Sequence, residues 1–154
     1  MTDEALMGAA LEQAAFGLDA GELPIGSVVT EDGAIVARAF WHSRNGLLAH
    51  PELVALQAAN RRHVTLYTTL EPCLLCMSAA MFSFAQRVVF ALESPTDGGT
   101  SIADVWNPAA GSVAPYRLPA VTSGVRRDES AELVREFLER EPDSPFASWA
   151  RTLV

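Results

Sequence analysis

The chain has 154 residues, 49% of them hydrophobic and 19% charged, and its net charge is −8, with no lysine among its basic residues. That length suits one well-packed domain spanning 1–154, and no apolar run reaches the eighteen or so residues that a membrane helix needs. The arginines are scattered, with Arg61-Arg62 and Arg126-Arg127 the only doublets; this argues against the basic stripe of a nucleic-acid binder and points to a small-molecule substrate.

Residues 3–20 carry Leu6, Ala9, Ala10, Gln13, Phe16 and Gly17 at helical spacing, which predicts an amphipathic helix with Gly21 as its C-cap. The start, Met1-Thr2-Asp3-Glu4, is acidic rather than basic, unlike a secretory signal. Residues 25–30 and 34–41 are apolar and β-branched around Glu31-Asp32-Gly33, a hairpin signal. A helix follows over 51–61, a strand over 64–69, a helix over 73–84 opened by Pro72, and a buried strand over 87–92. Residues 93–116 are rich in Gly, Pro, Ser and Thr, which predicts a long active-site loop with one helical turn at 101–106. A last strand is expected within 117–122, then a helix over 128–140, N-capped by Arg127-Asp128. The aromatic tail, about 141–154, is expected to dock on the domain or on a partner subunit. This order describes an α/β fold, a three-layer α/β/α sandwich on a five-stranded mixed sheet. The long connection before the last strand makes it parallel to its predecessor.

The chemistry concentrates in Pro72-Cys73-Leu74-Leu75-Cys76 and, upstream, His50-Pro51-Glu52. Alone, the Cys-x-x-Cys pair also suits a redox dithiol or half of a structural zinc site. Both cysteines of the chain lie in this pair, so there is no disulfide framework, and a reducing cytoplasm is the expected location. With His50 they supply three ligands, the number held by a catalytic zinc that keeps one position open for water. A structural site needs a fourth ligand, and no third cysteine exists. His50 and Cys73 both fall where a helix begins. Two helix N-termini side by side would bring His50, Cys73 and Cys76 onto one Zn2+ per chain, and their partial positive charge favours thiolates. Glu52 is then placed to take a proton from the activated water and pass it on.

Thr69-Leu70-Glu71-Pro72-Cys73-x-x-Cys76 with His50-x-Glu52 resembles the cytidine/deoxycytidylate deaminase superfamily, whose signature is H-x-E…P-C-x-x-C. Gly21-Glu22-Leu23-Pro24-Ile25-Gly26-Ser27-Val28-Val29 resembles the first strand of its guanine deaminase and tRNA adenosine deaminase branch, and so do Arg87 to Ala91 and Tyr116 to Leu138. Ser144-Pro145-Phe146-Ala147-Ser148-Trp149 is similar to a C-terminal segment of bacterial guanine deaminases. The resemblance implies hydrolytic deamination of an amino-substituted ring with release of ammonia, in a homodimer or larger assembly. It assigns His50, Cys73 and Cys76 to zinc and Glu52 to proton transfer. Pro24, Trp41, His42, Pro51, Asp104 and Trp106 are candidate substrate contacts. Asp104 sits where guanine deaminases carry an acid that helps hold the base, and with the tail it favours a guanine-like purine.

Two positions depart from that pattern. Pro51 stands where relatives have a small residue whose N–H meets the substrate ring, and proline has no N–H, although it also suits a first helical turn. Trp41-His42 stands where many relatives carry a substrate-binding Asn, whose paired donor and acceptor an indole cannot copy. Ser94, not an acid, precedes Pro95, unlike the tRNA branch. These features favour a free nucleobase, nucleoside or related amino-heterocycle. The alternatives are a nucleic-acid editing adenosine or cytosine deaminase, and a deaminase retooled for an unusual heterocycle in a specialised pathway.

Overall fold

The computed structural model describes residues 1–107 and 115–154; residues 108–114, part of the expected loop over 93–116, lie outside the described residues. In chain order the elements are α1 (Asp3–Asp19), β1 (Gly26–Glu31), β2 (Ala34–Phe40), a 3-10 turn (Ser43–Asn45), α2 (Pro51–Ala59), β3 (Thr65–Leu70), α3 (Leu74–Phe82), β4 (Arg87–Leu92), α4 (Ile102–Val105), β5 (Ala120–Thr122), α5 (Arg127–Arg140) and α6 (Ala147–Ala150). The sheet order is β2-β1-β3-β4-β5. Strand β1 runs antiparallel to β2 and β3, whereas β3, β4 and β5 are mutually parallel. The β1–β2 hairpin closes through Asp32 (φ 51°) and Gly33 (φ 78°), the left-handed pair that an Asp-Gly turn supplies.

Alternation along the strands decides which helix covers which face. Val29, Leu66 and Val88 point to one side, where Ala55, Leu56 and Ala59 of α2 and Met77 and Ala80 of α3 bury them. Val28, Tyr67 and Val89 point to the other, against Leu6, Met7 and Ala10 of α1. Helix α5 packs on β4 beside α1. The result is the expected three-layer sandwich on a mixed five-stranded sheet. Gly26 permits the tightest contact: a Cβ there would lie 2.2 Å from the Ala10 carbonyl oxygen, so β1 starts flush against α1. Thr2 caps α1 by accepting from the Ala5 N–H at 3.2 Å. Asp3 ties that helix to the sheet, accepting from Arg87 Nη1 at 2.8 Å, Arg87 Nη2 at 2.6 Å and the Tyr67 hydroxyl at 2.8 Å.

Element ends differ from expectation for local reasons. Helix α2 stops at Ala59 because Asn60 turns left-handed (φ 46°) and leads the chain out. Helix α3 stops at Phe82, and the chain reaches β4 through Phe84 at φ 57°. The last strand is only three residues long. Helix α5 begins one residue early, and its capping residue is Arg126 at φ 55° with no side-chain cap, not the Arg127-Asp128 pair. Helix α6 has no counterpart in the periodicity of the sequence. Its Ala147 and Ala150, with Leu153, are buried, and Ala150 and Leu153 join Val134 and Phe137 of α5 in a third apolar cluster near the carboxyl ends of β3 and β4. Among the described residues no helix is long and apolar enough to cross a membrane.

Candidate active site

Two helix N-termini meet beside the end of β3. His50 is the residue before α2, and Pro51 occupies its first turn, where a missing N–H costs no helical hydrogen bond. Cys73 is the residue before α3, and Cys76 follows one turn later on the same side. The three ligand atoms lie within 4.8 Å of one another. His50 Nδ1 is 3.6 Å from Cys73 Sγ and 3.4 Å from Cys76 Sγ, and the two sulfurs are 3.6 Å apart. An imidazole and two thiols converging at a pair of positive helix ends match the donor set of a three-ligand zinc site.

The electrostatics of this cluster agree with that use. The hydrogen bond between the two thiols, with the neighbouring imidazole, holds the Cys73 thiol down to about 4 against the opposing effect of burial, well inside the thiolate range. The same bond and burial push Cys76 up. Cys73 in turn raises His50. A divalent cation removes the need for that shared proton, because a coordinating thiol is deprotonated outright.

Glu52 lies one helical step beyond Pro51 and is only 4% exposed. Its Oε2 is 3.6 Å from Cys76 Sγ, at the edge of the ligand cluster. Burial pushes its carboxyl above the ordinary carboxylate range, against its own backbone N–H, the His50 ring and the Thr68 hydroxyl, which pull it down. Beneath it runs a buried polar chain: Ser27 donates to Thr68 at 3.0 Å, and Thr68 donates to Glu52 Oε1 at 3.1 Å. Nothing in the local sequence marks Ser27 and Thr68 as partners. They meet because β1 and β3 pair in a register that sets one opposite the other.

These groups open into a cavity of about 250 Å3, lined from the metal side by His50, Pro51, Glu52 and Cys73 and from the aromatic side by Trp41, Phe146 and Trp149. The Trp41 ring stands edge-on to His50, with centroids 5.5 Å apart, and edge-on to Phe146 at 6.0 Å. Trp149 donates its Nε1–H to Asp97 Oδ1 at 3.3 Å, which fastens α6 to the loop after β4. That loop is held by Glu71, whose carboxylate accepts from the Ser94 N–H at 3.0 Å and from the N–H and hydroxyl of Thr100. Gly99 lets it lie against α3, since a Cβ there would be 2.4 Å from the Leu74 nitrogen.

Of the residues singled out in the sequence, His50, Pro51, Glu52 and Cys73 line the cavity, with Trp41 across from them, and Cys76 completes the ligand cluster. Four others stand outside the lining. Pro24 is buried between Leu23 and Ile25, which do line it. His42 turns to Glu22, with Nδ1 3.4 Å from Oε1, and accepts from the Arg44 N–H as the cap of the 3-10 turn. Asp104 is exposed on the short helix α4, and Trp106 follows it at 40% exposure. Asp97 escaped the sequence reading, because only the long-range contact with Trp149 shows that it faces the cavity.

The comparison with known proteins accords with this geometry. Residues 1–92 match the family model described as the cytidine and deoxycytidylate deaminase zinc-binding region. A relative from Agrobacterium fabrum, a tRNA-specific adenosine deaminase, is 31% identical over 142 residues, covering 85% of this chain and 90% of that protein. A structure from a study of A-to-I editing by tRNA deaminases at the wobble position of transfer RNA superposes with a TM-score of 0.71 at 30% identity, covering 84% of this chain and 98% of the other. The guanine deaminase of Nitrosomonas europaea shares the fold, with a TM-score of 0.70 at 23% identity over 88% of this chain and 84% of its own. The chain belongs to the cytidine and deoxycytidylate deaminase family, whose members are zinc-dependent hydrolases of C–N bonds. Zinc is its cofactor, and His50, Cys73 and Cys76 are positioned to bind it.

Proposed function

We propose that this protein hydrolytically deaminates a free, base-sized amino-heterocycle. The observation that carries this reading is the cavity itself. At about 250 Å3 it falls below the roughly 300–1,000 Å3 of drug-sized ligand sites, which leaves room for one ring system. Its far wall is the aromatic C-terminal segment, and the cations that would hold a phosphodiester are missing from its described lining. His50, Cys73 and Cys76 would hold zinc, which would supply Lewis acidity and lower the pKa of water there toward neutrality.

The chain's own residues account for the rest. Trp41, Phe146 and Trp149 enclose a flat ring and exclude bulk water. Glu52 accepts a proton as the water oxygen adds to the amine-bearing carbon, then returns it to the departing nitrogen. One C–O bond forms, one C–N bond breaks, and the amine leaves as ammonia. The raised carboxyl of Glu52 suits it to hold that proton between the two steps. A guanine-like purine stays within this class, supported by the C-terminal segment, since Asp104 lies off the cavity lining. A homodimer is part of the same reading, because Leu74, Leu75 and Phe82 leave an apolar stretch of α3 exposed.

A second reading, deamination within tRNA, is favoured by the relatives that carry that activity in their names. Ammonia release by zinc-loaded protein across bases, nucleosides, triazines and tRNA separates the two, with Glu52→Ala as control. Release from a free base or nucleoside, lost in the control while zinc stays bound, is the expected result. Release from tRNA alone would overturn the free-heterocycle reading.

A further inference from the structure

The polar side chains around the cavity are unbalanced in what they offer a ligand. Glu52, Glu71 and Asp97 are all carboxylates. His50 and Cys73 are committed to the metal cluster. The Trp149 indole has already given its only hydrogen to Asp97. The Trp41 indole nitrogen is buried and has no hydrogen-bond partner among the described residues, so it is not exposed to the cavity. Pro51, beside Glu52, has no N–H to offer. Acceptors therefore face the ligand, and the side-chain donors of the described lining residues are either spent or, for Trp41, turned away from it.

Asp97 is the carboxylate of the three best placed to read a substrate. Glu52 is reserved for proton transfer, and Glu71 is occupied with the loop. The described hydrogen bonds to Asp97, from Ser94, Thr96 and Trp149, all end on Oδ1. An ionised carboxylate accepts through both oxygens, so Oδ2 is the atom left to a ligand among the described residues. Asp97 is exposed where the loop after β4 meets α6, at the mouth rather than the floor of the cavity.

We infer that Asp97 is a specificity-determining residue, and that the preferred substrate presents hydrogen-bond donors toward the cavity mouth, on the ring edge away from the amine it loses. That chemistry is a diamino or amidine-like heterocycle. An oxo-amino ring would bring a carbonyl oxygen toward a carboxylate and find no N–H at Pro51, so it meets repulsion and an unpaired acceptor together. A donor-bearing ring satisfies Asp97 directly, and three aromatic side chains surround its faces. This inference names the substrate class of the deaminase reading and rests on it.

The test uses matched pairs of compounds: cytosine and guanine, each beside the analogue in which an amine replaces the carbonyl oxygen. Ammonia release gives kcat/KM for each, and quenching of tryptophan fluorescence gives Kd independently of turnover. The diamino member is expected to lead by about tenfold or more, as one charged hydrogen bond allows. Asp97→Asn, which keeps the shape and an acceptor for Trp149, brings the ratio close to unity. Trp149→Phe removes the tether but leaves the carboxylate, so it keeps the ratio. Preference for the oxo member, a ratio unchanged in Asp97→Asn, or equal loss in Trp149→Phe would each overturn the role of Asp97, while any ammonia released upholds the deaminase reading. Diamino preference in Kd with no ammonia from any compound would sustain the role of Asp97 and refute the reading beneath it. Neither binding nor release would refute both.

Discussion

Replacing Thr68 by Val keeps the side-chain shape and deletes one hydroxyl, at a position with 0% exposure. Two groups lose a partner. The Ser27 hydroxyl, also fully buried, no longer has an acceptor, and Glu52 Oε1 loses its donor. Stranding a buried hydroxyl costs roughly 1–3 kcal/mol, and a bond to a charged group contributes roughly 1.5–3 kcal/mol. Because Glu52 keeps the bond to its own backbone N–H, the expected total is about 3 kcal/mol. At roughly 2–4 °C per kcal/mol for a chain of this size, Tm falls by about 6–12 °C. Adding Ser27→Ala removes the stranded hydroxyl and recovers about 1–2 kcal/mol, so the double variant is more stable than Thr68→Val alone. The same change touches catalysis. Burial already raises Glu52, and Thr68 is one of the groups pulling it down, so its loss moves the acid limb of the kcat/KM profile to higher pH. Thermal unfolding of the two single variants and the double, with one pH profile of ammonia release, checks both parts. A Thr68→Val protein that melts within about 2 °C of wild type, with an unmoved acid limb, would show that the chain beneath Glu52 carries no weight.

The hydrogen bonds from Arg87, and then that from Tyr67, hold the Asp3 carboxyl below its ordinary value of 3.8, against the opposing effect of burial. A depressed acid stabilises the fold above the unfolded pKa and loses that contribution as pH falls through the folded one. Asp3→Asn should therefore lower Tm at neutral pH by an amount matching about 1–2 kcal/mol, after allowance for partial exposure of both partners, and the gap should close as pH falls below the ordinary value of 3.8 and through the depressed folded one; a gap that does not change with pH would refute the assignment. Pro51→Ala restores an N–H at the cavity wall and is expected to raise kcat/KM several-fold on oxo-amino rings, at a stability cost of about 0.4–1 kcal/mol. An unchanged substrate profile would mean that the missing donor has no part in selection.

What the sequence made legible is what short-range spacing controls. Cys73 and Cys76 share one helical turn, and Pro51 and Pro72 announce the two helix starts, so the ligand cluster followed from local pattern. The sheet followed from β-branched runs such as Arg87–Leu92, whose ends match the periodicity. Helix ends were less legible: Phe84 adopts left-handed backbone that no side-chain pattern announces, and Asn60, a residue type that ends helices in that conformation, is the one local signal for the stop at Ala59. Contacts between distant segments were also hidden. Ser27 and Thr68 meet only through strand register, and Asp97 reaches the cavity only because Trp149 comes back to it. Asp104 looked like a base-holding acid from the resemblance to guanine deaminases, yet the helix that carries it is four residues long and leaves it in solvent.

The metal ligands and the aromatic wall enter the nascent chain at very different times. His50, Cys73 and Cys76, with four of the five strands, lie within residues 1–92, whereas Phe146 and Trp149 come more than fifty residues after β4 ends. Synthesis at roughly 5–20 residues per second separates the two by several seconds. During that interval a zinc ion can reach the thiols from the side that Phe146 and Trp149 later close. Metal loading thus has an open route on the ribosome that the finished protein narrows, and exchange of the ion should be slower in the complete chain than in one released before α6 is made.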